Sequence, residues 1–298
     1  MANHSLEKTA VVDWNASTEF WQKPFNIWSL LPLVCLILVG LSVLALTEVT
    51  VTAKIYWSDQ EQVFLALNSM LSEIPSSIWA NITLFGDAAV LLPVMSLLLI
   101  KHPKAWVAII YAAPLAGIAS TTMKKLFDTP RPAAVLDPHS FTIVGDMLQG
   151  HNSLPSGHTI TIFVAIISVL CFLFPSPYRL KHKLVIFAGL SVAAIVGLSR
   201  VAVGAHWPLD VLLGAGLGAL AAIIGSHFAS KKAESWKMNI SKRLIASLLP
   251  VCLSSVLIYR TIFSGSNEPI LFVAIVFGIL ASAFLLTEQR QRKMSVGA

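Results

Sequence analysis

Three short stretches of this sequence hold most of the side chains that could do its acid–base and charge chemistry, six of them placed to act together. Lys124 and Arg131 lie in KKLFDTPRP, His158 in PSGH, and Arg200, His206 and Asp210 in SRVAVGAHWPLD. His206 and Asp210 are four positions apart at what reads as a helix start, so they share a face. A carboxylate there can accept a proton from one ring nitrogen and leave the other free to attack. His158 is then available as a general acid. Three fixed cations suit a multiply charged anion, and the planar fork of arginine fits phosphate oxygens. Ser156 and Gly157, where an apolar run begins, offer backbone N–H groups and the positive end of a helix dipole, a further anion site.

The elements that must position these residues are membrane helices. The chain has 298 residues, 56% of them hydrophobic and 12% charged, against roughly 25% charged in soluble domains. A chain this poor in charge cannot cover a globule with polar groups. Apolar runs long enough to cross a bilayer, about 20 residues each, fall at 25–47, 78–100, 105–127, 156–174, 184–203, 207–228, 243–263 and 269–287. The fold expected is therefore all-α, a polytopic membrane helix bundle of about eight spans. Between the first two runs, the stretch WSDQEQVFLALNSMLSEI has apolar Val63, Leu65, Leu67, Met70 and Leu71 among polar residues, which predicts a short amphipathic helix on the membrane surface.

Charge sets the orientation. With the N-terminus inside, fifteen of the 21 basic residues fall in cytoplasmic connections, as the positive-inside rule requires. The net charge of +6 is thus a topology signal, and it gives no reason to expect nucleic acid as a partner. Lys124, Arg131, Arg200 and Arg260 belong to the outer minority. Alternation of the spans brings Lys124, Arg131, Ser156, Gly157, His158, Arg200, His206 and Asp210 to one face, the outer one. Random placement would scatter them over both. A transporter reading is weaker, because transporters place their sites near the midplane, whereas here the span centres carry almost no charge.

These three stretches, in this order and with these spacings, resemble the three-part signature of the type 2 phosphatidic acid phosphatase superfamily, whose site is shared by lipid phosphatases and vanadium haloperoxidases. The resemblance covers about 78–228 and implies a role for each residue. His206 attacks phosphorus, Asp210 orients it, and His158 protonates the leaving oxygen. Lys124, Arg131, Arg200 and the Ser156 and Gly157 backbone hold the phosphoryl oxygens, and neither a metal nor another cofactor is implied. The expected substrate is a membrane lipid phosphate or diphosphate: undecaprenyl diphosphate, phosphatidylglycerophosphate, phosphatidate or a lipid A phosphate. Phosphotransfer to another lipid from the same site is the alternative. The expected setting is a bacterial inner membrane with the site facing the periplasm or exterior. The expected organisation is a cytoplasmic segment at 1–24, a six-span core at 25–228, a basic cytoplasmic loop at 229–242, an additional two-span hairpin at 243–287 and a tail at 288–298.

The remaining polar and sulfur-bearing residues read more simply. Cys35, Cys171 and Cys252 sit in apolar runs without metal-ligand spacing. His139, His151 and His182 read as solvated loop residues, Trp207 as an interfacial aromatic, and Lys125 as a headgroup contact. Asp87, about a turn inside the second run, is costly there and is expected to support the cluster from behind.

Overall fold

The computed structural model describes residues 49–98, 102–173, 180–232, 240–263 and 268–296, so the N-terminal segment and the first expected span lie outside the described residues. Every regular element among the described residues is a helix. In chain order they are α1 (Val49–Leu71), α2 (Ser76–Leu84), α3 (Ala88–Met95), α4 (Pro103–Phe127), α5 (Pro132–Val135), α6 (Gly157–Leu173), α7 (Leu180–Ala202), α8 (Pro208–Lys232), α9 (Ile240–Phe263) and α10 (Pro269–Val296). The molecule is an all-α membrane helix bundle. The helices over Pro103–Val135, Leu180–Ala202 and Pro208–Lys231 are each long and apolar enough to cross a membrane, and shorter apolar helices lie at Gly157–Leu173, Leu248–Phe263 and Pro269–Phe284.

The outer surface is greasy, as a lipid solvent requires: Phe187, Leu212, Ile262, Val276 and Leu280 are all exposed. The interior is made of small and branched side chains. Ile109, Ala112, Ala116, Ile160, Val164, Ala193, Val196, Leu217 and Ala221 form one cluster among α4, α6, α7 and α8. Close approach is possible because α8 turns glycines toward its neighbours. A Cβ at Gly218 would lie 2.6 Å from the Ile160 carbonyl, and one at Gly214 would lie 2.8 Å from that of Ser156. Small residues at such crossings let backbones meet, which is how membrane helices gain packing without a hydrophobic drive. The α8–α6 contact therefore fixes the register between the His206–Asp210 stretch and the PSGH stretch.

Two expectations need correction. The second span is not one helix: α2 and α3 form a pair bent by 64°. Gly86 and Asp87 lie in the break, and Asp87 caps α3 by accepting the Ala89 N–H at 2.9 Å. An Asn/Asp/Ser/Thr cap starts a helix, and here it starts a new one inside an apolar run. The second correction concerns α1, which is longer than the expected surface helix and buries a different face. Val63 and Met70 are exposed, while Tyr56, Gln60, Phe64 and Asn68, four apart, are buried. That stripe packs on α7 and on the start of α8. Its polar members are bonded: Asn68 donates to the Val201 and Thr142 carbonyls and accepts the Thr142 N–H.

The helices α9 and α10 pack on each other and on α3, around Val90, Leu257, Leu271 and Ala274. They cover the broken span rather than the α4–α8 core.

Candidate active site

Helix ends explain why these side chains meet. Lys124 lies in the last turn of α4 and Arg200 in the last turn of α7, where the negative end of the helix dipole favours a cation. Beyond Lys124 the chain leaves α4 through Asp128, in the left-handed region at φ 41°, and Pro130 and Pro132 prevent its return to helix. The α8 start has Pro208 at its first position and Asp210 at its third. The Asp210 carboxylate accepts the Trp207 N–H at 3.0 Å, half of a capping box. Gln60 of α1 accepts the next open donor, Leu209 N–H, at 2.8 Å.

The capping carboxylate also holds the histidine. Nδ1 of His206 lies 3.1 Å from Oδ2 of Asp210. That oxygen also accepts the Ser153 hydroxyl at 2.5 Å, and Oδ1 accepts the Tyr56 hydroxyl at 2.7 Å. Asp210 is fully buried and His206 nearly so. A buried carboxylate with four donors is a fixed acceptor, so these partners put the proton of His206 on Nδ1. The lone pair on Nε2 then faces the guanidinium of Arg131, with Nη1 at 3.4 Å. Burial holds the His206 imidazole below its ordinary range, at about 4; the Asp210 bond and charge pull the other way, and Arg131 and Arg200 add to the depression. Neutral His206 is the resting form at neutral pH.

The two arginines are separately tethered. Arg131 gives Nε to Asn152 at 2.8 Å and Nη1 to the Ala205 carbonyl at 3.0 Å. Arg200 gives Nη1 to the Thr83 hydroxyl of α2 at 2.5 Å. Its buried Nε has no partner among the described residues, a donor left open toward a future acceptor. Lys124 Nζ stands 4.0 Å from where a Cβ on Gly157 would be. His158, in the first turn of α6, lies within electrostatic reach of Arg200, His206, Lys124 and Arg131. All eight residues singled out in the sequence thus come to one end of the bundle.

Their details differ from expectation at several points. The Ser156 N–H is not open: it donates to the Asp210 carbonyl at 3.0 Å. The Ser156 backbone N–H thus ties α6 to α8, while its hydroxyl accepts from Thr159 Oγ1 at 2.9 Å and its neighbour Gly157 is the α6 residue that lies against Lys124. Asp87 bonds to no residue of the cluster directly; its ion-pair partner is Arg260 at 2.5 Å, although its charge reaches Arg200. Trp207 is not an interfacial residue. It is fully buried, donates to the Pro130 carbonyl at 2.7 Å and stacks on Trp57, wedging α1 against the loop that carries Arg131. His182 is buried in the first turn of α7 rather than solvated. His139, His151 and Lys125 are exposed. Tyr56, Ser153, Asn152 and Thr83 were missed, being uncharged residues with no spacing signature of their own.

Beside the site, an apolar cleft of about 260 Å³ runs between α3, α4 and α6, lined by Leu91, Ile109, Ala116, Gly117, Ile160 and Gly157 among others. Its Gly157 end adjoins Lys124, and apart from Ser120 and Thr161 its other walls are apolar. Among the described residues no three His, Cys, Asp or Glu side chains gather as a metal would require.

Residues 105–234, from α4 through α8, match the PAP2 superfamily. The chain is 37% identical over 114 residues to the bacitracin transport permease protein BcrC of Bacillus licheniformis, covering 38% of this chain and 50% of that one. It is 39% identical over 74 residues to the lipid A 1-phosphatase of Porphyromonas gingivalis, covering 25% of this chain and 16% of that one. Over 136 residues it is 30% identical to the undecaprenyl-diphosphatase of Sulfolobus acidocaldarius, covering 45% of this chain and 61% of that one. The chain thus spans about half the length of the first of these relatives.

Proposed function

Because this chain carries a PAP2 superfamily domain over residues 105–234, we propose that it is a membrane phosphatase that hydrolyses a lipid phosphate or diphosphate through a phosphohistidine on His206. The observation that carries this is the His206 ring itself, fixed at Nδ1 by Asp210 and turned at Nε2 toward Arg131.

The steps balance as follows. The Nε2 lone pair forms the bond to phosphorus as the bond to the leaving lipid oxygen breaks. His158 gives its proton to that oxygen. The imidazolium charge created on His206 is offset by Asp210 through the retained Nδ1–H bond. In the second half His158, now neutral, takes a proton from water, the hydroxide attacks phosphorus, and the P–N bond returns its electrons to His206. Lys124, Arg131, Arg200 and the Gly157 N–H hold the phosphoryl oxygens throughout. Phosphoryl transfer asks the protein mainly for positioning and charge stabilisation, and the buried, tethered Arg131 and Arg200 supply both.

Two features favour a lipid over a soluble phosphate. The cleft of about 260 Å³ reaches the site between mostly apolar walls, and relatives with phosphatase names include an undecaprenyl-diphosphatase and a lipid A 1-phosphatase. The site would face the outer side of a bacterial inner membrane, with 1–24, 229–242 and 288–298 inside, 25–228 as the catalytic core and 243–287 as an added hairpin. Release of inorganic phosphate from a panel of lipid phosphates and diphosphates, by purified protein in detergent with excess EDTA, tests the assignment. Turnover of at least one lipid under chelation, inhibited by vanadate, is expected. Loss of activity on chelation that Mg²⁺ restores contradicts it.

A further inference from the structure

The turn between α2 and α3 touches the site at one end and the added hairpin at the other. Thr83 accepts Arg200 Nη1 at 2.5 Å. Asp87 receives Arg260 Nη1 at 2.5 Å while capping α3. Between them the turn is closed by Gly86 N–H to the Thr83 carbonyl and Asp87 N–H to the Leu84 carbonyl, both 3.0 Å. Gly86 lies directly against His158: a Cβ there would stand 2.5 Å from the His158 Cβ and 3.0 Å from its Cδ2. No side chain larger than hydrogen fits, so the backbone of Gly86 is the surface on which the His158 ring rests.

Arg260 is delivered from the last turn of α9. The helix that carries it is held on α3 by Leu257, Leu271 and Val90. Close packing at Gly278, where a Cβ would meet Ser254 Oγ and come 3.1 Å from Pro93 Cβ, leaves this hairpin little room to slide. The ion pair is partly exposed, Arg260 at 35% and Asp87 at 22%. Pairs that exposed add little to stability, which leaves position as the reason for placing one beside a catalytic histidine.

We propose that the α9–α10 hairpin positions the leaving-group step: Arg260, through Asp87, fixes the bend at Gly86 that sets the ring of His158. The inference rests on the reading of His158 as the acid that protonates the leaving oxygen. It gives the hairpin, which contributes no group to the phosphate, a use in catalysis. Arg260 and Asp87 are positioning residues here.

A leaving-group comparison separates this from a merely structural role. Wild type, Arg260→Ala and His158→Ala are assayed on a lipid phosphate and on an aryl phosphate, whose phenolate leaves with little protonation. Misplacing a catalytic group by about 1 Å can cost about a hundredfold, so a smaller shift of His158 is expected to cost about tenfold. Arg260→Ala is therefore expected to lose at least about tenfold in kcat on the lipid, with KM within about twofold and less than about threefold loss on the aryl substrate. Arg260→Lys, which keeps a cation for Asp87 and leaves the α3 cap intact, should recover part of the lipid rate. If Arg260→Ala yields little folded protein, Arg260→Gln serves in its place. An unchanged lipid rate, or equal losses on both substrates, overturns the proposal when His158→Ala discriminates between them. If His158→Ala shows no such discrimination, the acid role of His158 is wrong and the proposal falls with it.

Discussion

Tyr56 donates its hydroxyl to Oδ1 of Asp210 at 2.7 Å, on the oxygen opposite the one that holds His206. Burial and the Asp210 charge push the Tyr56 phenol well above its ordinary range, so it keeps its proton and acts only as a donor. Tyr56→Phe removes one of four donors from a buried carboxylate. A hydrogen bond to a charged group contributes about 1.5–3 kcal/mol, so kcat is expected to fall about tenfold or somewhat more with KM nearly unchanged. Steady-state kinetics checks this; an unchanged kcat would show that Asp210 does not need α1 to hold His206.

The depressed His206 gives a second expectation. ¹⁵N-histidine NMR of the free protein should find His206 neutral, with its proton on Nδ1, down to about pH 5. Asp210→Asn removes a group that raises the value, so the titration should move lower still. Stability follows by linkage. From about 4 to about 6.5 the unfolded chain accepts a proton that the folded state refuses. Stability from this source therefore rises with pH across that window and is level above it. Thermal melts in detergent at pH 5 and pH 7 should show the lower midpoint at pH 5. Titration of His206 near 6.5 would contradict both expectations.

The charged half of the site is legible in the sequence because charge is rare in this chain. Lys124, Arg131, Arg200, His158, His206 and Asp210 stand out against apolar runs, and alternating span direction sends them to one face. Their uncharged supports are not legible in that way. Tyr56, Gln60, Phe64 and Asn68 form the buried stripe of α1, but the apolar residues beside them suggest a different face. A polar residue buried through bonds to distant backbone leaves no hydrophobic period. The broken second span had a readable signal, Gly86-Asp87 ahead of an apolar segment, which spanning length alone obscured. Trp207 is buried rather than interfacial, which the sequence does not show because an amphipathic side chain near a helix end fits interface and core equally well. His182 is buried because its expected loop position falls in the first turn of α7.

Packing of α8 on α6 makes a prediction about the fold. Gly218→Ala must push the Ile160 carbonyl or Phe163, which lie 2.6 and 2.8 Å from the added carbon. Overpacking of this kind costs about 1–3 kcal/mol, so the melting temperature should drop. Gly117→Ala, whose added carbon meets nothing within 4 Å, serves as the control and should leave it unchanged or raise it slightly, since alanine favours the helix. Equal melting temperatures would mean that the α6–α8 contact is looser than this geometry.

Orientation can be read with a single thiol. Ser140 is exposed on the connection between Arg131 and Ser156. In a background without Cys35, Cys171 and Cys252, Ser140→Cys should react with an impermeant maleimide on spheroplasts. Labelling only after the membrane is opened would put the site inside.

Stereochemistry at phosphorus tests the central claim, a covalent intermediate on His206, most directly. A substrate whose transferred phosphoryl group is chiral through oxygen isotopes, or through sulfur, is hydrolysed in isotopically labelled water and the configuration of the product is determined. Attack by Nε2 of His206 followed by attack of water is two in-line displacements, so the account predicts net retention. Net inversion would mean a single displacement by water, with His206 acting as a base or as a phosphate ligand, and would contradict the account.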